Sequence, residues 1–136
     1  MGGGKIMADK KVLIVDDEIH IVHVVAIKLR NNGYEVISAD NGAEAFELAL
    51  RDKPNIIVTD FQMPIMTGLE LVEKLRQNEE TKDIPVIMLT ARSFAIPQEQ
   101  QEELQISGFL SKPFSPKELL GNIEDILYEK ELVTDN

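Results

Sequence analysis

The sequence contains no cysteine. That excludes disulfide staples, thiol nucleophiles and thiolate metal sites, and it fits a reducing compartment. No apolar run approaches the roughly 18 residues that a membrane-spanning helix needs. No charged-then-apolar stretch of signal-peptide type opens the chain. Positive charge is in deficit: 14 Lys and Arg stand against 24 Asp and Glu, a formal charge of −10. A surface for nucleic acid or for an anionic membrane needs a basic patch, so this balance argues against both. There is no internal repeat and no low-complexity tract. The expectation is a soluble cytoplasmic protein.

What remains is ordinary in bulk and informative in order. A length of 136 residues suits one domain with a sizeable core. The apolar fraction of 43% and charged fraction of 28% are those of a globular protein. Residues 1–6 read as a leader foreign to the rest, with Met7 as the natural start. One domain is expected over 7–131, with 132–136 fraying.

Two hydrophobic periods alternate along the chain. Continuous apolar runs look like strands buried on both faces; they are expected near 11–15, 34–38, 55–59, 84–89 and 108–111. Stretches with helical spacing lie between them. In the first, Ile19, Val22, Ala26 and Leu29 fall on one side, and Gly33 supplies a left-handed end. Asn41 can cap the second helix, which carries Ala45, Leu48 and Ala49. Thr67 can cap the third, which carries Leu71, Val72 and Leu75. A fourth is expected over 97–106. The last begins with Ser115 as cap, Pro116 in the first helical position and Glu118 completing a capping box. Five strand–helix pairs imply an α/β domain, a parallel sheet with helices on both faces. Such sheets bind ligands at the carboxyl ends of their strands.

Those ends carry the chemistry. Asp16 and Asp17 follow Val12-Leu13-Ile14-Val15, and Asp60 closes the run that includes Ile56-Ile57-Val58. Thr90 follows Val86-Ile87-Met88-Leu89, and Lys112 comes shortly after Phe109-Leu110. Two unit charges about 4 Å apart interact by about 4 kcal/mol at an effective dielectric near 20. Three carboxylates so placed repel one another unless a cation or protons intervene. Oxygen-only ligands select a hard ion, and a few carboxylates with retained waters suit Mg²⁺ better than a Ca²⁺ cage. A carboxylate beside Mg²⁺ can act as a nucleophile toward phosphorus. Lys112 and Thr90 could then hold phosphoryl oxygens. Taken singly, each residue has a plainer role: a polar turn, a helix entry, a strand-end hydroxyl, a surface lysine. His20 and His23 are near zinc-ligand spacing, but they read as solvated helix histidines.

Taken together, the segments Val12-Leu13-Ile14-Val15-Asp16-Asp17-Glu18, Thr59-Asp60-Phe61-Gln62-Met63-Pro64-Ile65-Met66-Thr67-Gly68, Leu89-Thr90-Ala91 and Phe109-Leu110-Ser111-Lys112-Pro113-Phe114 resemble the receiver domain of two-component response regulators. The resemblance spans roughly residues 11–130. It implies the flavodoxin-like strand order 2-1-3-4-5, the order the family is known for. It implies that Asp60 is the phosphoacceptor. Asp17, Asp60 and the Gln62 carbonyl would ligate Mg²⁺, with Asp16 acting through water. Thr90 would be the switch hydroxyl, Lys112 the phosphate-binding lysine and Phe109 the switch aromatic. The Lys112–Pro113 bond would be cis. Gln62 and Arg92 would flank the path of the hydrolytic water and tune dephosphorylation, with Arg92 either shielding the phosphoryl group or lying in solvent. The implied partners are a histidine kinase or phosphotransfer protein and an unidentified downstream protein. The latter would be reached through the face of the fourth helix, fifth strand and fifth helix, by a monomer or a phosphorylation-dependent dimer. The chain would be a signalling module, catalytic only toward its own phosphorylation and dephosphorylation.

Two departures stand out. Gln105 occupies the place of a usual turn glycine, so the turn after the fourth helix is expected to be reshaped. Residues 98–103 are all polar, which makes 94–105 the expected weak segment. Other readings fit less well. An aspartyl-nucleophile phosphatase wants Asp-x-Asp after the first strand with the nucleophile foremost. A flavin binder wants a Gly- and Ser/Thr-rich loop there. A receiver serving only as a constitutive interaction module would not need the full set of chemical residues.

Overall fold

The computed structural model describes residues 10–91 and 96–135. The leader at 1–6 lies outside the described residues. Strands β1 (Lys11–Val15), β2 (Glu35–Ala39), β3 (Ile56–Asp60), β4 (Val86–Thr90) and β5 (Gly108–Ser111) alternate with helices α1 (Ile19–Arg30), α2 (Gly42–Asp52), α3 (Gly68–Arg76), α4 (Gln98–Leu104) and α5 (Pro116–Asp135). The strands form one parallel sheet in the order β2-β1-β3-β4-β5. This is the expected doubly wound topology.

Strand pleating sorts the core into two layers, because successive side chains point to opposite faces. Val12, Ile14, Ile56, Val58, Ile87 and Leu89 meet Val25, Ala26 and Leu29 of α1 and Leu119, Leu120, Ile123 and Leu127 of α5. Leu13, Val15, Ile57, Val86 and Met88 meet Ala45 and Ala49 of α2, Leu71, Val72 and Leu75 of α3, and Leu104 of α4. The three inner strands are therefore covered on both sides.

Helix starts follow the sequence signals. Asn41 Oδ1 accepts from Glu44 N–H at 2.9 Å. Thr67 and Glu70 form a reciprocal capping box. Ser115 Oγ accepts from Glu118 N–H at 3.0 Å. Gly33 has a positive φ of 93°.

Three expectations need correcting. β2, β3 and β4 each begin and end one or two residues later than the apolar runs suggest, so Asp60 and Thr90 are the last residues of their strands. Ile19 is 75% exposed, and the buried stripe of α1 runs through Val25, Ala26 and Leu29 instead. In the same first turn Ile21 and Val22 are partly buried against the core, so it is the Ile19 position that faces solvent. Gln105 keeps the left-handed cap rather than reshaping the turn, with φ 55° and ψ 45°. Ile106 N–H reaches Gln101 O at 3.2 Å, the long bond of a Schellman motif. The last helix, α5, is helical as far as Asp135. Neither glycine nor proline interrupts 122–135 to stop it.

Arg76 explains how Gln105 holds its conformation. Its guanidinium donates to Leu104 O at 2.7 Å, Gln105 O at 3.3 Å, Lys82 O at 2.9 Å and Ile84 O at 2.8 Å. Four carbonyls from two segments are satisfied by one planar fork. That grip offsets the left-handed strain of about 1 kcal/mol that a non-glycine residue carries there.

Candidate functional site

Parallel register brings the chemical residues to one edge. Val15 pairs with Thr59, so Asp16 and Asp60 emerge side by side. Asp60 in turn pairs with Leu89. Thr90 pairs with Ser111, which puts Lys112 one step beyond Thr90. Backbone bonds lock these exits: Asp16 N–H donates to Ala39 O at 3.1 Å, Phe61 N–H to Leu89 O at 2.8 Å, and Lys112 N–H to Thr90 O at 2.7 Å. The Lys112–Pro113 bond is cis.

The loop after Asp60 is held by a close approach. A Cβ on Gly68 would stand 2.2 Å from Asp60 O. Only glycine lets the start of α3 sit against that carbonyl, and Gly68 N–H meanwhile donates to Phe61 O at 2.9 Å. Ile65, in the same loop, has a positive φ of 73° although it is β-branched.

Asp16, Asp17 and Asp60 each offer a carboxylate oxygen within 4.8 Å of the others. Asp16, Asp60 and Thr90 are buried, and Asp17 is exposed. The Asp16 carboxylate is oriented by Glu18 N–H, which donates to Oδ1 at 2.9 Å. Its Oδ2 is buried and accepts no aligned hydrogen bond among the described residues, although Lys112 Nζ stands 3.0 Å away. Lys112 Nζ also lies 2.7 Å from Glu18 Oε1 and 3.4 Å from Asp60 Oδ2.

The electrostatics follow from that crowding. Burial first, and then the Asp16 charge, push the Asp60 carboxyl up to about 6 against the pull of Lys112. Burial by itself would lower Lys112, but the hydrogen bond to Glu18 and the close charges of Asp16 and Asp60 raise it. An under-coordinated buried oxygen among three converging carboxylates fits a hard divalent cation with oxygen ligands.

The structure thus brings together Asp16, Asp17, Asp60 and Lys112, with Thr90 at the adjoining strand end. Gln62 is exposed in the loop after β3. Phe109 is 37% exposed on β5. Arg92 lies outside the described residues. His20 and His23 are exposed on α1 and are not part of the acidic cluster. Sequence reasoning assigned no role to Glu18, although its place directly after the acidic pair was the available signal.

Comparison with known proteins decides the family. The family model described as response regulator receiver domain matches residues 12–124. The chain belongs to the response regulator receiver family. This receiver is 38% identical over 121 residues to the phosphate regulon transcriptional regulatory protein PhoB of Pseudomonas aeruginosa, a match covering 89% of the chain and 53% of that protein. It is 37% identical over 124 residues to the alkaline phosphatase synthesis transcriptional regulatory protein PhoP of Bacillus subtilis, covering 91% and 51%. The receiver therefore spans about half the length of these curated relatives. Among solved structures, the chemotaxis response regulator CheY4 of Vibrio cholerae aligns with a TM-score of 0.79 at 36% identity, covering 86% of the receiver and 98% of that chain. The receiver is a two-component signalling domain, and none of its described helices is long and apolar enough to cross a membrane.

Proposed function

We propose that the receiver accepts a phosphoryl group on Asp60 from a histidine kinase or phosphotransfer protein, and so changes its affinity for a downstream partner. The observation that carries this reading is the convergence on Asp60: Lys112 Nζ 3.4 Å from its carboxylate, and two further carboxylates within 4.8 Å. An ionised Asp60 oxygen attacks phosphorus. The new O–P bond forms as the bond to the donor imidazole nitrogen breaks, and the leaving imidazole takes up a proton from solvent. With its pKa at about 6, Asp60 is mostly ionised and competent at neutral pH. Mg²⁺, held by Asp16, Asp17, Asp60 and the Gln62 carbonyl, would neutralise charge on the transferring group.

Lys112 pairs with one phosphoryl oxygen and the Thr90 hydroxyl donates to another. Inward movement of Thr90 makes room for Phe109, which shifts the population of conformers on the face of α4, β5 and α5. Gln62 and Arg92 set the lifetime of the aspartyl phosphate by flanking the path of water. The receiver acts as a signalling module in the cytoplasm rather than as a turnover enzyme.

The test is incubation with Mg²⁺ and acetyl phosphate, read by intact mass. Wild type gains one phosphoryl group, and Asp60→Asn does not. A wild-type protein left unmodified with competent donor and ample Mg²⁺ would overturn the reading.

A further inference from the structure

Glu18 is the N-terminal boundary residue of α1, yet its side chain makes no cap bond to that helix. A carboxylate at this position ordinarily accepts from the free N–H groups of the first turn. Instead it reaches across the sheet edge to Lys112, 94 residues away in sequence, at 2.7 Å. That is the shortest of the three contacts made by the ammonium.

An ammonium has three N–H donors and accepts nothing. At Lys112 three carboxylates surround it: Glu18 at 2.7 Å, Asp16 at 3.0 Å and Asp60 at 3.4 Å. A phosphoryl oxygen that pairs with Lys112 competes with them, and first with Glu18, whose carboxylate accepts the hydrogen bond from the ammonium. Asp16 is buried, oriented by the Glu18 amide and one of the clustered carboxylates, so it cannot withdraw. Asp60 carries the phosphoryl group. Glu18 is left: its side chain is 58% exposed and can swing into solvent at little cost.

We infer that Glu18 is a positioning residue that parks Lys112 away from its phosphoryl-binding pose and must release it when Asp60 is modified. The inference rests on the proposed role of Asp60 and assigns that reaction an added, tunable barrier. Glu18 thereby weakens binding of any phosphoryl-like anion at Asp60 while leaving the carboxylates that would hold the cation intact. Solvent exposure limits the effect, because exposed ion pairs contribute at most about 1 kcal/mol, or roughly fivefold in affinity.

The experiment titrates the full chain with beryllium fluoride at saturating Mg²⁺, and separately with Mg²⁺ alone. Wild type, Glu18→Gln, Glu18→Asp and Asp60→Asn are compared. Glu18→Gln is expected to bind beryllium fluoride about three- to fivefold more tightly, while its Mg²⁺ affinity does not rise. Glu18→Asp keeps the charge but is one methylene too short to hold Lys112, so it should behave like Glu18→Gln. Unchanged beryllium fluoride affinity in Glu18→Gln would overturn the inference. So would a Glu18→Asp protein that matches wild type, since the effect would then be charge acting through space. A wild-type protein that fails to bind beryllium fluoride at all, like Asp60→Asn, would instead overturn the role of Asp60.

Discussion

Replacing Asp60 by Asn should make the metal-free receiver more stable, and the size of the gain is fixed by the crowding at the site. A carboxyl displaced from 3.8 to about 6 binds its proton more tightly in the folded state than in the unfolded one. The linkage sign is therefore unfavourable to ionisation. Below about pH 3 the group is mostly protonated in both states and costs little. As pH rises through 4 to 6 the unfolded state ionises first, and folding loses stability. Above about pH 7 the full penalty is in place; a rise from 3.8 to about 6 sets an upper bound of about 3 kcal/mol, which solvent screening reduces. By the same relation, about half of it has developed by pH 5. Asn keeps the shape and removes the titration. In EDTA at pH 8, urea unfolding followed by circular dichroism should show Asp60→Asn more stable by up to about 3 kcal/mol. At pH 5 the gap should shrink to about half. Saturating Mg²⁺ should raise wild-type stability by mass action and close most of the gap. Equal stabilities at pH 8 in EDTA, or a gap that widens on acidification, would refute the argument from burial and like charge.

Four further outcomes follow from individual contacts. Gly68→Ala should destabilise the fold by about 1–3 kcal/mol in denaturant titration and weaken Mg²⁺ binding by calorimetry, because the added Cβ meets Asp60 O at 2.2 Å. Tyr34→Phe should be neutral or stabilising by up to about 1 kcal/mol, because the buried Tyr34 hydroxyl has no hydrogen-bond partner among the described residues and burial raises its pKa to about 12. Gln105→Gly should raise the urea midpoint, gaining about 0.5–1 kcal/mol from relief of the left-handed strain. In native-state hydrogen exchange, α4 should open more readily than α1, because Leu104 is its sole buried residue; equal protection of the two helices would contradict this.

The architecture was legible because each inner strand carries an unbroken apolar run and three of the helices have readable caps. Asn41, Thr67 and Ser115 cap where their side-chain chemistry says they should. The candidate site was legible because its residues sit at strand ends, and parallel strands bring their ends to one edge. What escaped depends on contacts between distant segments. The left-handed Gln105 reads as a conflict until Arg76, 29 residues earlier, is seen donating to its carbonyl. Ile19 fits a helical stripe by spacing, but burial also requires a neighbour, and Ile19 has its side chain in solvent. The pairing of Glu18 with Lys112 has no local signature, since it joins the first helix to the last loop.

The grip of Arg76 also dictates how α4 is free to travel. Its tail is fastened by a planar fork to the end of α3 and to the loop that precedes β4. Sliding the helix along its axis would break those bonds together, whereas tilting it about Gln105 preserves them. Seven residues make a rod of about 10 Å, so a tilt of about 10° displaces its leading end by about 2 Å. Any displacement of α4 that keeps these bonds is therefore a swing about its C-terminal end.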